Sequence, residues 1–147
     1  MVLLVPFDGS ELATAALDRA AEFAELTDEP LVVLSVVTDD ERFARERGWV
    51  DVDEPYDPDA IAGHLEAAAR EVAPDATFRR EEPTDASEMA TTTLDVARTI
   101  RQVAHELDAS VVFVGSENAG RVSTPIASVG SPVSEDPEYD VHIVRRA

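Results

Sequence analysis

The sequence contains no cysteine and no lysine. Without cysteine there are no disulfides, no thiolate metal centres and no cysteine nucleophile. Its absence fits a reducing cytoplasm and so leads us to expect a cytoplasmic protein. Without lysine, a P-loop of the form G-x-x-x-x-G-K is impossible, and no ammonium group can reach a phosphate. No apolar run approaches the about 18 residues that a membrane-spanning helix needs. The opening Met-Val-Leu-Leu-Val-Pro has no basic leader segment and breaks at Asp8, so it does not read as a signal peptide. Also missing are G-x-S-x-G and H-E-x-x-H, the motifs of common hydrolases and zinc peptidases.

Positive charge is scarce as well. Twelve basic residues, all arginine, face 31 acidic ones, for a net charge of −19. Such a balance argues against nucleic acid and anionic membranes as partners. Carboxylates in place of long ammonium stems keep a surface hydrated when salt competes for water. In about 1 M salt the Debye length is only about 3 Å, so the self-repulsion of so acidic a chain is screened. The composition therefore suggests a salt-rich cytoplasm.

What is present is enough for a globular protein: 147 residues, 44% of them apolar. We expect one domain over 1–147. Val2 to Phe7 is a continuous apolar run, as for a central parallel strand buried on both faces, and Pro6 should end it. Asp8-Gly9-Ser10 is a turn, with Ser10 as the N-cap of a helix to about Leu26. Leu12, Ala16, Ala20, Phe23 and Ala24 would form its buried stripe. Leu31–Val37 is a second buried strand. Asp39 to Asp57 is acidic and irregular, a loop with room for one helical turn. Asp57-Pro58 starts a second long helix, with Ile61, Leu65, Ala68 and Val72 inward and Pro74 as its stop. Ala76–Glu81 alternates weakly, like an exposed edge strand. A third helix begins between Glu88 and Thr93 and buries Val96, Ile100, Val103 and Leu107. Val111–Val114 and Val141–Val144 are the last two strands. Between them Pro132 and Pro137 limit any helix to a turn or two.

Alternating strands and helices predict a mostly right-handed, parallel α/β sheet. Ligands of such sheets sit outside the carboxyl ends of the strands, where the strand order reverses. The ends Pro6-Phe7-Asp8, Val36-Val37 and Gly115-Ser116 are candidates to meet there. Beyond Gly115 runs a small, polar, glycine-containing loop whose amides could face an anion. Several residues have more than one reading. Asp8 is either a ligand acceptor or a turn residue. Val36 is a crevice residue or plain core. Gly115 and Gly120 are phosphate-loop or simple turn glycines. Trp49 covers the crevice, covers a dimer surface, or anchors its loop. His64, His105 and His142 lie on three different elements without metal-ligand spacing, and the many acidic pairs follow from abundance. We therefore expect neither a metal site nor a catalytic residue.

The runs Leu4-Val5-Pro6-Phe7-Asp8-Gly9-Ser10, Leu34-Ser35-Val36-Val37, Asp108 to Ser116 and Val141-His142-Ile143-Val144-Arg145 together resemble the universal stress protein family along the whole chain. The resemblance implies a flavodoxin-like, adenine nucleotide alpha hydrolase-like doubly wound sheet of five parallel strands, order 3-2-1-4-5. It also implies a homodimer built through the last strand, Val141–Val144. In the nucleotide-binding branch of that family the loop has the form G-x2-G-x9-G-S/T. Here Asn118 stands where the second glycine belongs. The third position falls either at Gly130-Ser131, if the first spacing is stretched from Gly115 to Gly120, or at Ala127-Ser128. The second register leaves the last strand undisturbed and is preferred. Asn118 tolerates a left-handed backbone, and Ala127 adds only a methyl group.

Carried over residue by residue, the resemblance implies an ATP site. Pro6 and Phe7 flank the crevice, Asp8 accepts from adenine or ribose, and the Val36 backbone meets the base. Gly115, Ser116, Asn118 and Gly120 surround ribose and phosphates, and Ser128 donates to a phosphate. Arg121 is the nearest cation. The implied function is an adenine-nucleotide-binding regulatory module in a stress response. The alternative is a dimeric interaction or scaffold protein of the same fold that binds no nucleotide. A hydrolase has little support, because no motif positions a general base.

Overall fold

The computed structural model describes residues 1–51, 53–83, 92–116 and 139–147. In chain order the elements are β1 (Val2–Pro6), α1 (Glu11–Thr27), β2 (Leu31–Val36), α2 (Glu41–Glu46), α3 (Pro58–Val72), β3 (Thr77–Glu81), α4 (Thr92–Glu106), β4 (Ala109–Gly115) and β5 (Asp140–Val144). The five strands form one parallel sheet in the order β3-β2-β1-β4-β5, as expected.

The apolar runs become strands because a parallel sheet is covered on both faces. Side chains alternate across it with period two. Leu3 and Val5 of β1, Leu31 and Val33 of β2 and Phe113 of β4 enter one core, shared with α1 and α3. Leu4, Leu34, Val36, Val112 and Val114 enter the other, shared with α4. Helices thus lie on both faces. Burial of each large apolar side chain stabilises the fold by about 1.5–3 kcal/mol.

Several boundaries and stripes differ from the sequence expectation. β2 stops at Val36, β3 starts at Thr77, and β4 extends from Ala109 through Gly115. α1 buries Ala13, Ala16, Leu17 and Ala20. In so alanine-rich a helix, two adjacent stripes satisfy the same three- and four-residue spacing. Phe23, expected inside, is 37% exposed, although its ring meets Phe113 edge-on. α3 buries Ala62 and Ala69 beside Ile61 and Leu65, while the expected Ala68 and Val72 pack half-buried against the same core. Along α4, Ala97 and Ala104 are buried beside Ile100 and Val103.

β3 is the expected edge strand, and it is charged. Arg79 bridges Glu81 and Glu106 of α4, and Arg80 pairs with Asp59 of α3. Such charges blunt an open edge. His64 and His105 lie on helix surfaces, and His142 of β5 stacks on Phe113. The segment limited by Pro132 and Pro137 lies outside the described residues.

The irregular acidic stretch contains a complete short helix. Asp40 caps α2, its Oδ1 accepting from the amides of Arg42 and Phe43. Gly48, at φ +76°, ends it. The amides of Gly48 and Trp49 bond back to the carbonyls of Arg45 and Ala44, the two-bond closure that a left-handed residue after a helix allows. Trp49 is thereby turned back toward the sheet.

Candidate functional site

β1 is flanked by β2 on one side and β4 on the other, so the strand order reverses beside it. Outside its carboxyl end lies a crevice of about 730 Å³, open solvent at its mouth included. α1 walls it on one face of the sheet with Leu12 and Ala13, and α4 on the other with Val96, Ala97 and Ile100. Of the residues picked from the sequence, Pro6, Phe7, Asp8, Val36 and Gly115 line it together. Val36 fulfils both readings at once, since it is also a buried member of the second core. Ser116 follows Gly115 directly but is exposed and does not line the crevice. Asn118, Gly120, Arg121 and Ser128 lie outside the described residues.

The turn that carries Asp8 is tightly specified. Gly9 takes φ +81°, a conformation that side chains disfavour. The Asp8 carboxylate accepts the Ser10 amide through Oδ1 at 3.0 Å. Ser10 in turn caps α1 through its hydroxyl, which accepts the Ala13 amide at 3.2 Å. Below the turn, the fully buried Ser35 donates its hydroxyl to the Phe7 carbonyl at 2.7 Å. Strand β2 thus holds the end of β1 by more than its ladder.

Gly115 also has a role other than the two weighed from sequence. It is the last residue of β4, not part of a turn, and α1 packs directly against it: a Cβ there would stand 2.7 Å from the Leu12 Cβ. The first turn of α1 reaches the sheet because this position has no side chain.

Two crevice residues, Phe43 and Arg47, were not singled out from the sequence. Arg47 Nη1 donates to Asp8 Oδ2 at 2.5 Å, an ion pair whose side chains are only 24% and 21% exposed. The Arg47 guanidinium also lies over the Phe43 ring, 4.9 Å from its centroid. Trp49 packs edge-to-face on Phe43 and donates Nε1–H to the Asp8 carbonyl at 2.9 Å. The sequence left three roles open for Trp49. The structure gives it two of them: it covers the crevice and anchors its own segment. Among the described lining residues, Asp8 and Arg47 are the charged ones; the rest of the wall is largely apolar.

The segment carrying these groups is tied at its other end too. Thr92, at the start of α4, donates its hydroxyl to Asp40 Oδ2 at 2.6 Å. That hydroxyl bond, with the amides of Phe43 and Arg42, holds the Asp40 carboxyl below the usual carboxylate range against a desolvation that opposes it. Tyr56 donates its hydroxyl to the Thr38 carbonyl, and burial pushes this phenol above its ordinary value.

An apolar slot with one carboxylate and one guanidinium at its lip suits a flat, partly apolar ligand that carries a few polar groups. Among the described residues no three carboxylates or imidazoles converge as a metal site would require. No described helix is long and apolar enough to cross a membrane.

Comparison with solved structures returned relatives of the same fold. A universal stress protein in complex with cAMP is 24% identical, with 100% of this chain and 98% of that one covered, at a TM-score of 0.56. UspA from Lactobacillus plantarum is 19% identical over 99% and 97%, at 0.60. The Archaeoglobus fulgidus universal stress protein in complex with dAMP is 18% identical over 99% and 98%, at 0.57. At such identities the likeness is one of fold. A search of curated proteins gave no match. The profile of the Universal stress protein family, however, matches residues 1–145, almost the full length. The chain belongs to the universal stress protein family.

Proposed function

We propose that this chain binds an adenine nucleotide, ATP in the first instance, and acts as a regulatory module in a stress response rather than as an enzyme. The observation that carries this reading is the crevice itself. Pro6-Phe7-Asp8, Val36 and Gly115, from three strand ends far apart in sequence, converge where a parallel sheet offers a ligand site. Structural relatives in complex with cAMP and dAMP support the same chemistry. In this reading Asp8 accepts from adenine or ribose and Val36 offers backbone to the base. Gly115, Ser116, Asn118 and Gly120 surround ribose and phosphates, and Ser128 donates to a phosphate. The protein works as one domain and a homodimer paired through Val141–Val144, in a salt-rich cytoplasm, as the charge of −19 suggests.

The test is calorimetric titration with ATP in multimolar KCl, together with assay of nucleotide released from protein purified in high salt. Binding that Asp8→Ala weakens more than tenfold, with circular dichroism unchanged, is the expected result. No heat at millimolar ATP and no released nucleotide would refute the reading.

A second reading is a dimeric scaffold without nucleotide. One observation favours it: both Asp8 carboxylate oxygens already have protein partners, the Ser10 amide and Arg47.

A further inference from the structure

Residues 40–50 form a strap over the crevice. It is fastened at one end by Thr92 on Asp40 and at the other by two bonds onto Asp8, from Arg47 to the carboxylate and from Trp49 to the carbonyl. The acceptor that a bound nucleoside would use is therefore the atom group that holds the strap down. Asp8 Oδ1 is committed to the turn through the Ser10 amide, so a ligand donor must share or take Oδ2, the oxygen held by Arg47.

The cost of taking it depends on the ligand. A neutral nucleoside that displaces Arg47 leaves a mostly covered guanidinium without its carboxylate, over the Phe43 ring. A ligand that brings an anion supplies a replacement acceptor for the same planar fork, and guanidinium binds phosphate in bidentate fashion. Arg47 is the positively charged group among the described crevice residues, in a chain without lysine. We propose that Arg47 sets the specificity of this crevice for adenine compounds bearing a phosphate, by exchanging the Asp8 carboxylate for the phosphate when the ligand enters. The proposal rests on the adenine-nucleotide reading and adds to it the group that distinguishes nucleotide from nucleoside.

The experiment is titration of the wild type, Arg47→Gln and Arg47→Lys with ATP and with adenosine in multimolar KCl. Emission of Trp49, the single tryptophan, follows the strap. The wild type should bind ATP at least about tenfold more tightly than adenosine. In Arg47→Gln, adenosine should bind about threefold to fivefold more tightly, because it no longer has to displace the partly covered ion pair, while ATP binds more weakly. The preference then shrinks to within about twofold. Arg47→Lys, which keeps the charge but not the fork, should restore part of it. A red shift of Trp49 emission in Arg47→Gln, with unchanged circular dichroism, is expected from a loosened strap on an intact fold. If Arg47→Gln strengthens both ligands equally, or changes neither, the exchange is overturned while nucleotide binding stands. If neither ligand binds any of the three proteins, the nucleotide reading itself fails and the exchange with it.

Discussion

Gly115 and Leu12 touch so closely that a methyl group on the glycine would lie 2.7 Å from the leucine Cβ. Carbon atoms do not approach so near, so Gly115→Ala must push α1 away from β4. The expected cost is about 1–3 kcal/mol, read from urea denaturation. Adding Leu12→Ala should not rescue it, because alanine keeps the offending Cβ. Rescue by the double variant would place the crowding further out on the leucine side chain and contradict the packing described above.

Ser35 is fully buried and spends its hydroxyl on the Phe7 carbonyl. Ser35→Ala should cost about 1 kcal/mol or more, because a buried acceptor loses its donor. A midpoint unchanged in urea would show that the β1 end is held by the ladder alone.

Acid should loosen the strap at Asp40. Its carboxyl is held below the usual range, first by the Thr92 hydroxyl and then by the α2 amides. A group depressed in the folded state adds stability above its unfolded pKa and loses it as pH falls through the folded one. Asp40→Asn keeps an oxygen for the cap but does not titrate. The stability difference between wild type and Asp40→Asn should be full at neutral pH and vanish as acid protonates Asp40. A difference independent of pH would sink this account.

Salt should stabilise the fold. With a net charge of −19, self-repulsion is large in dilute buffer and is screened as the Debye length falls to about 3 Å near 1 M salt. The thermal midpoint should climb steadily with KCl. Full stability in dilute buffer would remove the case for a salt-rich cytoplasm.

Ile143 tests the proposed dimer. It lies on β5, which ends the sheet, and is 37% exposed. If pairing runs through this strand, Ile143→Lys should halve the mass seen by sedimentation without altering circular dichroism. A monomeric wild type would dispose of the homodimer.

The sheet was legible because strands buried on both faces read as unbroken apolar runs, with Pro6 and Gly9 closing the first of them. Helix faces were less so: alanine fits either side of a stripe, and α1 turned Leu17 inward where Phe23 was expected. The crevice residues on strand ends could be named in advance because topology alone brings strand ends together. The strap could not. A six-residue helix is too short to show a period, and the pairing of Arg47 with Asp8 spans 39 positions that carry no local signal. Its boundaries were nonetheless written in the sequence, Asp40 as the cap and Gly48 as the stop. Asn118, Gly120 and Ser128, named from the resemblance, lie outside the described residues.

The placement of β1 at the centre of the sheet also bears on how the chain folds. Its partner on one side, β2, follows within a single helix, whereas on the other side Ser110 of β4 reaches Val2 across 108 positions. Loop closure over that span makes assembly slow compared with a fold of local contacts. During synthesis Leu3, Leu4 and Val5 emerge well before β4, and one edge of their strand stays open until β4 has been made. The segment that ends at the centre of the sheet thus carries, until β4 is made, an apolar edge that other chains could pair with.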